Sequence, residues 1–171
     1  MRLLNVPMRL LLRLPLRTPL SERLMLVFLV GRRSGKIYRQ PVSYVTDAGT
    51  LLTPAGGRWR LNLVAGNAVR LRLCGENRLA YPELISEPGE VERLLLLIFA
   101  ANPRAASFVG IPRGPGGGLD RARLEQALAY GFRVVRWHLD EHGQRARGLP
   151  GDPGTVAAAG LPPRPGGERA L

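Results

Sequence analysis

A chain of 171 residues, 45% hydrophobic and 22% charged, has the length of one ordinary domain and a globular composition, which excludes wholesale disorder, collagen-like repeats and a long coiled coil. A formal net charge of +12 predicts an anionic partner, whether a phosphate-bearing ligand, an acidic membrane surface or nucleic acid. The single cysteine, Cys74, excludes an internal disulfide and makes a cytoplasmic protein the expectation.

Residues 1–23 read as a basic amphipathic segment. Arg2, Arg9, Arg13 and Arg17 and the prolines at 7, 15 and 19 break up its leucines, so the segment is too interrupted to span a bilayer and lacks the apolar stretch of a secretory signal. Leu10, Leu11 and Leu14 oppose the arginines on a short helix, which predicts a cover for one side of the domain. Peripheral contact of residues 1–20 with a membrane surface is the competing role.

The folded domain is expected over 24–144. The apolar run 24–30 is short enough for a buried strand, and Gly31 ends it. After a turn over 31–35, residues 37–46 place Val42, Tyr44 and Thr46 at alternate positions, which predicts a second strand pairing with the first as a hairpin. Asp47, Ala48 and Gly49 turn into a brief third strand over 50–53. Pro54 and the glycines that follow precede a short helix at 58–65. Val69, Leu71 and Leu73 alternate with Arg70, Arg72 and Cys74, the pattern of a half-buried strand with its arginines outward. A turn at 75–77 leads into a fifth strand over 78–86.

Pro88, with Glu87, Glu90 and Glu92 around it, opens a helix that buries 94–99 and ends at Asn102 and Pro103. A glycine-rich loop at 114–118 precedes a second helix over 119–130, stopped by Gly131, and 132–139 is the last strand. Residues 145–171 hold almost no large apolar side chain and are expected to lack a fixed structure. The sum is an α+β fold of about six mostly antiparallel strands capped by two or three helices, with the length of a small barrel. A dinucleotide-binding sheet is disfavoured, since strands and helices do not alternate and no Gly-x-Gly-x-x-Gly follows a strand.

Gly31, Arg32, Arg33, Ser34, Gly35 and Lys36 lack the glycine and hydroxyl positions of a nucleotide phosphate loop. They still gather two guanidiniums, the chain's only lysine, a hydroxyl and glycine-freed backbone N–H groups within six residues, a composition suited to an anion; a solvated hairpin turn is the plain alternative. Gly56 and Gly57 ahead of Arg58, Trp59, Arg60, Leu61 and Asn62 offer further backbone donors. His138 and His142 fall on strand and turn, which separates their rings, so no metal site is expected. No serine, histidine and carboxylate arrangement stands out, and chemistry is expected to belong to a bound cofactor.

These segments, taken with Pro41, Val42, Ser43, Tyr44 and Val45, with Asp47, Ala48 and Gly49, and with Leu63, resemble the deazaflavin-dependent nitroreductase family of split β-barrel proteins over about residues 24–86. The resemblance implies a split β-barrel, commonly a homodimer, that uses reduced deazaflavin F(420) to pass hydride to a quinone, a nitroaromatic or a similar small acceptor. It implies that Arg32, Arg33, Ser34 and Gly35 hold the cofactor's anionic tail, with Lys36 and Arg39 beside them. Thr53, Pro54, Gly56, Gly57, Trp59 and Asn62 would line the ring and phosphate side, and Tyr44 or Ser43 would donate a proton to the reduced substrate. Ala55 stands where the family often has a lysine. The alternatives are an FMN-binding variant, a noncatalytic barrel holding haem, flavin or a fatty acid, and a peripheral binder of anionic membranes or nucleic acid. The peripheral binder ranks last, since aromatics are only 6% and no stacking motif is present.

Overall fold

The computed structural model describes residues 23–140; expectations for the amino-terminal segment, for His142 and the last residues of the domain to 144, and for the tail from 145 lie outside the described residues. Seven strands form one antiparallel sheet: β1 (Leu24–Val30), β2 (Ile37–Ser43), β3 (Val45–Asp47), β4 (Thr50–Ala55), β5 (Val69–Leu73), β6 (Glu76–Ile85) and β7 (Arg133–Leu139). Their order across the sheet is β2-β1-β5-β6-β7-β4-β3. Three helices follow β6: α1 (Pro88–Ala101), α2 (Pro103–Val109) and α3 (Arg121–Ala129). A 3-10 turn at Arg58–Asn62 links β4 to β5. No helix among the described residues is long and apolar enough to cross a membrane.

The sheet curls into a half-barrel, and the chain shows why. β2 lies at one edge and β3 at the other, yet only Tyr44 separates them in sequence. A run of chain can supply both edges only if the sheet bends until they approach, and β2 does come back against β4. Here the expected count of six strands is corrected to seven. The alternation Val42, Tyr44, Thr46 crosses the junction without a breaker, so sequence periodicity reads one strand where pairing makes two. The Tyr44 amide still donates to the Arg23 carbonyl at 3.1 Å, while Val45 pairs with Leu52.

Alternation along the strands divides the apolar residues between two cores. Met25, Val27, Leu29, Leu71, Ala80, Val135 and Trp137 face the concave side and pack together with Leu51, Ala55 and Leu63. Trp137 is fully buried there and its indole N–H donates to the Thr53 hydroxyl at 3.2 Å. The opposite face of β4, β6 and β7 offers Leu52, Ile85 and Val134 to the helices, where Val91, Leu94, Leu95, Ile98 and Phe99 of α1 meet them. The concave side therefore carries a packed apolar core.

Helix boundaries follow their caps. Glu87 accepts from the Gly89 and Glu90 amides to start α1, with Pro88 in its first turn. Pro103 does not merely end α1 but opens α2, because proline costs nothing at a first helical position; Gly110, at φ 71°, closes that helix. The Asp120 carboxylate accepts from the Arg123 amide at 3.0 Å, which moves the start of α3 inward from 119 to Arg121. The helix expected at 58–65 is only the five-residue 3-10 turn. The turn between β5 and β6 falls at Cys74 and Gly75, one residue earlier than expected and with φ of 46° and 84°.

A candidate anion site at one end of the half-barrel

The turn joining β1 to β2 is closed by two backbone bonds, Gly31 N–H to the Lys36 carbonyl at 2.9 Å and Gly35 N–H to the Gly31 carbonyl at 2.8 Å. A side chain at Gly31 would collide with the Tyr38 ring and the Ser34 hydroxyl, so this glycine lets Tyr38 fold over the turn. Ser34 and Tyr38 hydroxyls share a hydrogen bond at 3.0 Å. Arg32, Arg33, Ser34, Gly35 and Lys36 are all exposed.

The second predicted segment meets the first. The Arg32 amide donates to the Asn62 side-chain oxygen at 3.1 Å, and the Asn62 amide group donates to the Trp59 carbonyl at 3.3 Å. Gly57 has no room for a side chain because Trp59 folds back onto it. Arg58, exposed at the start of the 3-10 turn, joins Arg32, Arg33 and Lys36 at this end of the sheet. None of these four cations takes part in an ion pair among the described residues. Nor does any acidic residue lie between Arg23 and Thr46.

Other predicted residues stand apart. Thr53 is fully buried and its hydroxyl is committed to Trp137, while Pro54 pairs with Val134 and Gly56 abuts the Phe132 ring. Arg39 lies on the convex face with its guanidinium 5.8 Å from the Phe28 ring centre. Arg70 sits closer, at 4.1 Å, and is 4% exposed, which corrects the outward, solvated placement expected for it from strand alternation. Alternation shows which face a residue takes; it does not show whether that face is covered. Ser43 and Tyr44 are at the opposite end of β2 from the turn, on the order of 20 Å away at strand rise. The Tyr44 hydroxyl is 4.0 Å from the Cys74 sulfur.

Sequence reading missed the clamp made by Arg60. Its guanidinium donates to the Gly57 carbonyl at 2.7 Å and to the Tyr130 carbonyl at 3.4 Å, tying the 3-10 turn to the end of α3. Partial burial, then the neighbouring Arg133 charge, lowers its pKa from the ordinary arginine value. It lies over Gly131, where a side chain would collide with it. The glycine was visible in the sequence, but its partner 71 positions earlier was not. His138 bonds Glu83 at 2.8 Å, and among the described residues no group of three or more His, Cys, Asp or Glu comes together as a metal site would require.

No protein-family model matches the chain, and neither does any curated protein. Among solved structures it is similar to one chain at 16% identity and a TM-score of 0.45, over 77% of this chain and 80% of that one. It is also similar to HutZ, a heme storage protein from Vibrio cholerae, at 10% identity and a TM-score of 0.40, over 80% of this chain and 90% of that one. Likenesses this distant assign no ligand.

Proposed function

We propose that the chain is an oxidoreductase that holds a polyanionic redox cofactor of the deazaflavin F(420) type at the turn end of the half-barrel. In this reading hydride passes to a quinone, a nitroaromatic or a similar small acceptor. The observation that carries the reading is the Arg32–Asn62 bond, which gathers Arg32, Arg33, Lys36 and Arg58 at one end, where none of them meets a carboxylate among the described residues. Unopposed, solvent-facing guanidiniums suit phosphate and carboxylate groups, which they grip by paired, charge-assisted bonds. The donor set therefore fits such a tail, and four cations suit several negative charges better than the single phosphate of FMN.

When bound, the cofactor supplies the hydride chemistry. The protein binds and orients it: the turn backbone and Ser34 fix the tail, and Trp59, half-buried behind Gly57, offers a flat apolar side to a ring. Ser43 and Tyr44 enter this scheme as proton donors only for a ligand that extends along β2.

The experiment is a titration of the purified chain with F(420), FMN and haem, followed by fluorescence or absorbance, and then oxidation of the reduced cofactor by menadione. Saturable F(420) binding with turnover is expected. The pair Arg32→Ala and Arg33→Ala should weaken it by about 2 kcal/mol or more. Binding of none of the three, or unchanged affinity in the double variant, would remove the turn from any cofactor site.

A further inference from the structure

On the helical side of the molecule, far in sequence from the arginine turn, α1, α2 and the start of α3 leave an open cleft of about 790 Å³. That lies within the range of small-molecule pockets, roughly 300–1,000 Å³. Its floor is Phe99 and Ile111, both nearly buried, and its walls include Pro103, Ala106 and Pro112. Two guanidiniums stand on it, Arg113 from the loop after α2 and Arg123 from the first turn of α3.

Both are exposed, and neither has an acidic partner among the described residues. Arg113 donates to the Gly117 carbonyl at 3.2 Å and Arg123 to the Gln126 side-chain oxygen at 3.5 Å, neutral acceptors that leave the positive charge uncompensated. Among the described residues no carboxylate lines the cleft. Ser107 adds one hydroxyl to the wall.

A cleft with apolar floor and wall residues beside two cations without acidic partners suits a ligand with an apolar chain and a negative head. We infer that this cleft binds a fatty carboxylate, its acyl chain along Phe99, Ala106 and Ile111 and its head between Arg113 and Arg123. The site is independent of the cofactor reading, since it shares no residue with the arginine turn. It places the acyl chain outside the half-barrel, on the helical layer.

The test is calorimetric titration of the full chain with dodecanoate below its micellar concentration. Decanoate and dodecyl maltoside serve as the shorter and the uncharged comparisons, and phosphatidylglycerol vesicles as the lipid surface. Saturable binding of one dodecanoate per chain is expected, several-fold tighter than decanoate because two more methylenes leave water. The double change Arg113→Gln and Arg123→Gln should weaken it at least tenfold while leaving thermal unfolding unchanged. Ser107→Trp, at an exposed position, should block the trough without loss of fold. The inference is overturned if dodecanoate does not saturate, if the double variant binds it as well as the parent, if dodecyl maltoside binds equally well, or if only the vesicles bind.

Discussion

Ala48 shows how much one backbone angle decides. It and Gly49 form the two-residue turn between β3 and β4, with φ of 44° and 79°, the left-handed pair that a tight hairpin turn requires. Glycine takes that geometry freely and asparagine tolerates it, whereas alanine is strained by roughly 1 kcal/mol. Ala48→Asn should therefore stabilise the chain by about that much, read as a higher denaturant midpoint with an unchanged slope. The Thr53 hydroxyl makes the opposite case. Thr53→Val keeps the shape of the concave core but strands the Trp137 indole N–H without an acceptor, and should cost about 1–3 kcal/mol in the same measurement. The family resemblance, carried near here by Gly56, Gly57 and residues 59–63, implies Thr53 beside a cofactor. The Trp137 that takes its hydroxyl lies 84 positions away, a distance that no local pattern encodes.

At the scale of elements, α1 is fastened to the sheet by charge as well as by its apolar face. Glu90 accepts two bonds from Arg93 at 2.8 Å and one from Arg136 of β7 at 2.8 Å, and Arg136 also reaches Glu83 of β6 at 3.2 Å. Hydrogen bonding by Arg93, and less by Arg136, holds the Glu90 carboxyl down to about 2 from the usual 4.5. A depressed carboxylate pKa means the unfolded chain takes up the proton first, so the stabilisation is full above about 4.5 and fades as pH falls toward 2. Thermal midpoints measured between pH 6 and pH 2 should drop, and Glu90→Gln should flatten that drop. A parallel slope in the variant would remove Glu90 as its source. Most elements were legible beforehand, because α1, β1, β6 and β7 carry strong periodicity and clear caps. The misses were short elements: β3 hidden in the continuous alternation through Tyr44, α2 behind a proline read as a stop, and the 3-10 turn read as a longer helix. In each, tertiary pairing rather than local preference sets the boundary.

Across the whole molecule, charge is distributed as unevenly as the site suggests. Residues 23–75 carry nine cations against Asp47 alone, whereas residues 76–140 carry eight cations and eight acids. Because β2, β1 and β5 lie together on one side of the sheet order, the excess is spatial as well as sequential. The cluster of Arg32, Arg33 and Lys36 within six residues was readable from the sequence; the contact that brings the Arg58 segment to it was not, since it depends on Asn62 binding the Arg32 amide across 30 residues. Such a field draws a polyanion toward the turn before any contact forms, and it is screened once the Debye length falls from about 10 Å at 0.1 M salt to about 3 Å at 1 M. Association of F(420) with the chain, followed by stopped-flow fluorescence, should therefore slow as salt rises. Dissociation should change less, because the close guanidinium contacts are screened less than the long-range field. Arg32→Gln with Arg33→Gln should shallow the salt dependence, whereas Arg121→Gln, on the neutral helical side and already paired with Glu125 at 3.0 Å, should leave it unaltered. Equal effects from the two variants would mean that the net charge of the chain attracts the anion, with no focus at the turn.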